Sequence, residues 1–455
     1  MELVHLDALV IALIGVSVLV SVLINSVAER LGLPALVGYL VFGAALRWAD
    51  DSLHFLSEHL FNAFRVLADL GIVALLFEIG LASNPRALAA KLPQASVIWL
   101  VEVLVAGGAA YFLCHYALHF SEVTSLVAAA ALSGTSVGVC AVVWENAGRL
   151  NSPEGELLID VAELDDLSAV GLMAILFALA PVLLSGNGDA GSALLGASAG
   201  FVASLGLLIL VAVIFARFLE HPLTRFAGRL RRPPERMLMV AGVGFVIAAF
   251  AAWLGFSLAI GAMLAGLLFS RDPAATRTER SFRDISAFVT PFFFIYIGLC
   301  MDPASIGGSL PIGGLLLVVA MLSKLVGNGL PAWVSMNAPC ALLIGVSMMP
   351  RAEITMVVMD QARLLFPEAI SGELYSAMVL VTAATCTGVA PAAGAHAARD
   401  ALIGDRHCLR LGASQGMPAS QSLPRRRAGC GAGAGCRHPG SCAGIPPGVI
   451  IVSQA

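Results

Sequence analysis

Apolar runs of bilayer length recur along almost the whole of this chain, and no other feature restricts its fold as severely. A helix needs about 20 apolar residues to cross a hydrocarbon core, where every backbone N–H and C=O must be satisfied without water. Candidate spans lie near 7–27, 34–47, 65–83, 95–118, 123–144, 158–180, 194–218, 236–253, 256–270, 285–301, 311–333, 340–360 and 372–391. They predict an all-α polytopic membrane protein of about 13 transmembrane helices. Composition agrees, because 58% of the 455 residues are hydrophobic and 12% are charged, against about 25% charged in an ordinary soluble domain. No basic surface points to nucleic acid. The N-terminus lacks the basic region and cleavage site of a secretory signal, so the first apolar run is expected to stay as a span.

Loops on the cytoplasmic side of a membrane collect Lys and Arg. Arg30, Arg86, Lys91, Arg149, the cluster from Arg217 to Arg236, and Arg271 to Arg283 fall on one side of the predicted spans, against Arg47, Arg65 and Arg363 on the other. This places the N-terminus outside and the C-terminus in the cytoplasm.

The chain also repeats itself. "LGLPALVGYLVFGAAL" (Leu31 to Leu46) matches "LGFSLAIGAMLAGLLF" (Leu254 to Phe269), with Gly38 on Gly261 and Gly43 on Gly266. Further on, "IGLASNP" (Ile79 to Pro85) matches "IGLCMDP" (Ile297 to Pro303). The offsets are 223 and 218 residues. Seven predicted spans separate equivalent elements, so the copies enter the membrane in opposite senses, the architecture of secondary transporters with a site at the repeat interface. The expected organisation is a membrane domain over 1–392, with repeat one about 7–180, a linker helix about 194–218 and repeat two about 236–391. Residues 393–455 are dense in Gly, Ala, Pro, Ser and Arg and are read as a disordered low-complexity tail. Its Cys430, Cys436, His438 and Cys442 have no Cys-x-x-Cys partner and are not read as a metal site.

Two predicted spans are interrupted in corresponding places, "SGTSVG" (Ser133 to Gly138) and "GVSMMPRAE" (Gly345 to Glu353). Glycine loosens a helix and Pro350 removes a backbone donor, so both are expected to unwind and free carbonyls for a cation. Asp165 and Asp166 sit in the sixth span, although each charge costs roughly 2.5–3.5 kcal/mol at the centre of a spanning helix. Lys324, one of two lysines in the chain, lies deep in the eleventh. Adjacent helical residues point about 100° apart, so one aspartate can pair with Lys324 while the other faces a cavity; Asp165 is assigned to the pair and Asp166 to the cavity. Two close carboxyls couple their titrations and suit a proton or a small hard cation. Asp165, Asp166 and Thr135 are the expected ion and proton ligands, Lys324 the ion-pair partner, and Ser133, Ser136, Arg351 and Glu353 residues of the ion path or of its framework. Glu78, Glu102 and Glu163 are read as weaker candidates that snorkel towards an interface. No metal beyond the transported cation and no cofactor is expected. No nucleophile–base pair points to an enzyme.

Taken together, "LGLPALVGYLVFG", "LGIVALLFEIGL", "SGTSVGV", "GRLNSPEGELLIDVAELDDL", "GAMLAGLLFS", "SKLVGN" and "MMPRAE" resemble the monovalent cation:proton antiporter-2 family, on its bacterial sodium/proton antiporter branch. The resemblance covers roughly residues 8 to 385. It implies the sodium/proton antiporter fold, with two inverted repeats and crossed broken helices, a homodimer in a bacterial inner membrane, and an elevator-type alternating-access cycle. The family's acidic pair falls on Asp165 and Asp166, its membrane lysine on Lys324, its broken-helix threonine on Thr135 and its second-break glutamate on Glu353. An Asp-Asp pair with lysine implies electrogenic exchange. The chain departs from the family at Gly80-Leu81-Ala82, at Pro350-Arg351-Ala352-Glu353 and at Glu163. The expected function is exchange of a monovalent cation, sodium ahead of lithium or potassium, for protons. The alternatives are a potassium/proton antiporter and a non-transporting or disabled, sensor-like membrane protein.

Overall fold

The computed structural model describes residues 2–31, 33–82, 85–136, 139–140, 144, 152–185, 190–219, 222, 233–254, 256–270 and 273–403. The expected tail from 393 onward therefore lies outside the described residues from position 404. The helices, which belong to one compact unit, Met1–Arg410, are α1 (Glu2–Leu31), α2 (Ala35–Leu53), α3 (Glu58–Ala82), α4 (Pro85–Phe112), α5 (Glu122–Ser133), α6 (Pro153–Ser185), α7 (Ala190–Ile214), α8 (Pro233–Trp253), α9 (Leu258–Phe269), α10 (Pro273–Leu299), α11 (Ile306–Ser335), α12 (Ala338–Ser347), α13 (Glu353–Leu365) and α14 (Gly372–Ile403). No strand occurs among the described residues.

Each expected span carries a helix, and seven of these helices are long and apolar enough to cross a membrane. Two expected spans are not continuous. The fifth stops at Ser133, and the twelfth is divided into α12 and α13 by residues 348–352. α14 continues past 393 to Ile403. Apolar side chains such as Ile11, Leu19 and Val22 on α1 and Val202, Leu210 and Val213 on α7 are exposed, as expected of surfaces that face lipid.

The helices pack in two groups. α10 lies against α3 and α2, and α9 against α3 and α8; separately, α11 lies against α4, α12 and α14, while α5 lies against α4, α6 and α13. The repeats meet inside the first group through paired glycines. A Cβ on Gly43 would sit 3.0 Å from the Gly298 Cα, and one on Gly80 would sit 3.1 Å from the Gly266 Cα. In the repeat read from sequence Gly43 corresponds to Gly266 and Gly80 to Gly298, so the two contacts are one contact seen twice through a pseudo-twofold axis. Without Cβ atoms the backbones approach closely enough for dispersion to hold helices together where lipid removes the hydrophobic drive.

Gly80→Ala places a methyl against the Met263 carbonyl and is expected to cost about 1–3 kcal/mol by overpacking. A clearly lowered thermal midpoint in detergent would show it. Gly108→Ala, where nothing lies within 4 Å, should leave the midpoint unchanged or raise it, since alanine is the better helix former.

Candidate ion site

α5 starts with Ser121, whose hydroxyl accepts from the Thr124 amide at 3.2 Å, and ends where Gly134 turns to extended backbone at φ −63°, ψ 154°. Beyond the described 134–136 stretch, Cys140 and Trp144 are helical again. α12 starts with Asn337 accepting from the Cys340 amide at 3.1 Å; it ends at Ser347, and the chain resumes as helix only at Glu353. The two interruptions touch. The Ser136 amide donates to the Pro350 carbonyl at 3.1 Å, the Thr355 hydroxyl to the Ala131 carbonyl at 2.8 Å, and the Ser136 hydroxyl to Glu353 Oε2 at 2.8 Å.

Helix ends leave unpaired carbonyls and a partial negative charge. At the end of α5 two buried cations take up that role. Arg351 donates through Nη1 to the Ser133 carbonyl at 3.4 Å and to the Gly134 carbonyl. Lys324 Nζ donates to the Ser133 carbonyl, the Thr135 hydroxyl and Asp165 Oδ2, each at 2.7 Å, and also pairs with Glu102. The Thr135 hydroxyl donates in turn to Asp165 Oδ2 at 2.7 Å. Asp166, only 2% exposed, points elsewhere: its Oδ1 has no hydrogen-bond partner, and the charges acting on it are Glu353, Asp165, Lys324 and Glu163.

Asp165, Asp166, Thr135, Ser133, Ser136, Lys324, Arg351 and Glu353 are thus brought together at one crossing. Two details differ from a reading by residue type alone. Ser133 contributes its carbonyl, while its hydroxyl turns back to the Ala130 carbonyl at 2.8 Å. The Thr135 hydroxyl serves Asp165 and Lys324, so it is engaged on the ion pair and not on Asp166.

Glu102 overturns an expectation. It does not snorkel: it is fully buried on α4 and pairs with Lys324. Glu102 and Lys324 come from helices of different repeats. They meet because α4 and α11 pack together. Asp165 on α6 and Thr385 on α14 each serve one of the breaks. Asp165 binds Thr135 at the first break, and the Thr385 hydroxyl accepts from the Arg351 amide at 3.0 Å at the second. Glu78 lies apart, 3.6 Å from Arg283, and Glu163 is half-buried two residues before Asp165.

Glu102, Asp165 and Asp166 are three buried carboxyls, and Lys324 and Arg351 are two buried cations. The half-buried Glu353 adds a fourth carboxyl that acts on Asp166, and because uncompensated charge in such surroundings is strongly disfavoured, this cluster calls for further positive charge.

An all-helical membrane body whose inverted repeats set two interrupted helices around buried carboxyls and a buried ammonium defines a secondary transporter of the inverted-repeat class. The family described as "Sodium/hydrogen exchanger, transmembrane" matches residues 15–393, and the chain belongs to it. It is 27% identical over 302 residues to the high-affinity Na(+)/H(+) antiporter NhaS3 of Synechocystis, covering 64% of this chain and 63% of that protein. It is 24% identical over 379 residues to the Na(+)/H(+)-K(+) antiporter GerN of Bacillus cereus, covering 80% and 90%. It is 28% identical over 316 residues to the glutathione-regulated potassium-efflux system protein KefC of Salmonella arizonae, covering 66% and 46%. The chain therefore spans only about half to two thirds of the length of some of these relatives. The fold is similar to that of the sodium proton antiporter MjNhaP1 from Methanocaldococcus jannaschii, with a TM-score of 0.66 and 15% identity over 87% of this chain and 99% of that one.

Proposed function

We propose that this chain exchanges a monovalent cation, sodium first, for protons across the bacterial inner membrane, with its N-terminus outside and its C-terminus in the cytoplasm. The observation that carries the reading is the shortage of positive charge: the buried carboxyls of Glu102, Asp165 and Asp166, with Glu353 beside them, face two buried cations. Either protons, one on each aspartate, or a single monovalent cation supply the charge, and the two exclude one another because they use the same oxygens. Asp166 and Asp165 hold the cargo ion, with free carbonyls at the breaks as further ligands. Lys324 holds Asp165, and Arg351 and Glu353 hold the two half-helix ends. In this reading the membrane domain works as a homodimer, and the group built on α4–α6 and α11–α14 moves against the other in an elevator-type, electrogenic cycle. The names of relatives such as NhaS3 and GerN support sodium. Potassium is the second reading, supported by the likeness to KefC.

Purified protein in liposomes loaded with a pH-sensitive dye provides the test. Sodium, lithium and potassium added in turn should each report their own rate of proton movement, with sodium fastest. If no cation moves protons, antiport is excluded; if potassium alone does, the second reading holds. Competition also sets the sign of the pH dependence. Acid fills the carboxyls with protons, so the apparent KM for sodium should rise as pH falls. A KM that is flat across pH would contradict a shared site.

A further inference from the structure

Lys324 carries more counter-charge than one ammonium needs. Two carboxylates stand around its Nζ, Glu102 from α4 and Asp165 from α6, along with the Ser133 carbonyl and the Thr135 hydroxyl. All of these lie out of contact with solvent. The backbones behind Glu102 and Lys324 nearly touch, because a Cβ on Gly327, one turn past Lys324, would lie 2.9 Å from the Glu102 Cα. The charged groups that face Glu102 are Asp165 on α6, Lys324 on α11 and Arg351 at the second break.

The two carboxylates have different commitments. Asp165 is bound by Thr135 and adjoins Asp166, where the cargo ion is proposed to sit. Glu102 has the ion pair with Lys324 and, beside it, only the Asp165 carboxyl and the more distant Arg351. We infer that Glu102 is the resident counter-ion of Lys324 and Asp165 the exchangeable one. When a cation or proton occupies the aspartates, Lys324 leans on Glu102; when the site empties, it returns to Asp165. This deepens the antiport reading and rests on it. With Asp165 as sole partner, giving that carboxylate to a cation would strand a bare ammonium in a low-dielectric interior. With Glu102 present the ammonium keeps a partner and its proton, so the aspartates carry the exchange and the lysine does not. Glu102 is accordingly a positioning residue, acting on the cargo through Lys324.

Glu102→Gln keeps the shape and removes the charge. Lys324 then competes with the cation for Asp165, and the apparent KM for sodium should rise roughly tenfold or more, the size of one lost charge-assisted hydrogen bond, with the maximal rate much less affected. Glu102→Asp should recover most of the wild-type KM, a rescue that a merely space-filling residue would not show. A wild-type KM in Glu102→Gln overturns the inference. Thermal unfolding of Glu102→Gln, Lys324→Met and the double variant supplies a second measure that needs no transport. A resident counter-ion makes the double variant more stable than the sum of the single losses, whereas strict additivity refutes the pairing. Absence of exchange by the wild-type protein would remove the antiport reading while the unfolding cycle still decides whether Glu102 is the lysine's partner.

Discussion

Asp166→Asn is expected to abolish cation-coupled proton movement while leaving a folded protein. Asparagine nearly matches aspartate in shape, and Asp166 Oδ1 makes no hydrogen bond that would be lost. The charges nearest in effect to Asp166 are the like charges of Glu353 and Asp165, so neutralising it relieves repulsion in a buried site. The thermal midpoint should equal or exceed that of the wild type. Transport responds in the opposite way. Removing a full charge from a buried ion site costs on the order of 3–5 kcal/mol, two to three decades of affinity or more, and the amide cannot take up and release a proton. Dye dequenching in liposomes measures the flux and a melting curve in the same detergent measures the fold. Sodium-driven proton movement at even a tenth of the wild-type rate would exclude Asp166 as the ligand.

Lys324→Met has the largest effect expected on stability. The methionine fills the volume, yet Glu102 and Asp165 lose their common ammonium while both remain out of water. Breaking a buried ion pair from one side costs about 3–5 kcal/mol, a large part of the net stability of a typical fold. The variant should melt far below the wild type and yield little protein. Glu78→Gln is the contrast, since Glu78 and Arg283 lie 3.6 Å apart with side chains 22% and 50% exposed. An exposed pair of this kind contributes about 0–1 kcal/mol. Equal losses in the two variants would mean that the lysine cluster is not what holds α4, α6 and α11 together.

Much of this was legible before any coordinates. Bilayer-length apolar runs place the helices because lipid permits no other arrangement of the backbone, and Gly43, Gly80, Gly266 and Gly298 mark the close helix contacts because only glycine lets them form. The glycines around Ser133 and the proline at position 350 mark the two interruptions. Which side chains meet was less legible. Asp165 and Asp166 differ by one position and by about 100° around a helix, and helical spacing states that they diverge without stating what each one faces. Glu102 was misjudged for a related reason: a glutamate in an apolar helix looks alike whether its head reaches an interface or an ammonium on a neighbouring helix.

Sequence alone therefore determined the membrane body, the inverted repeat, the two broken helices and the residue types that make the site. Tertiary structure decided that Glu102 and Asp165 share Lys324, that Arg351 and Lys324 cap the same helix end, and that Asp166 stands outside that ion pair. The physical reason is that hydrophobicity acts on each segment separately, whereas a buried charge is stabilised only by a partner on another segment. Pairing of that kind exists only once helices from both repeats have been packed.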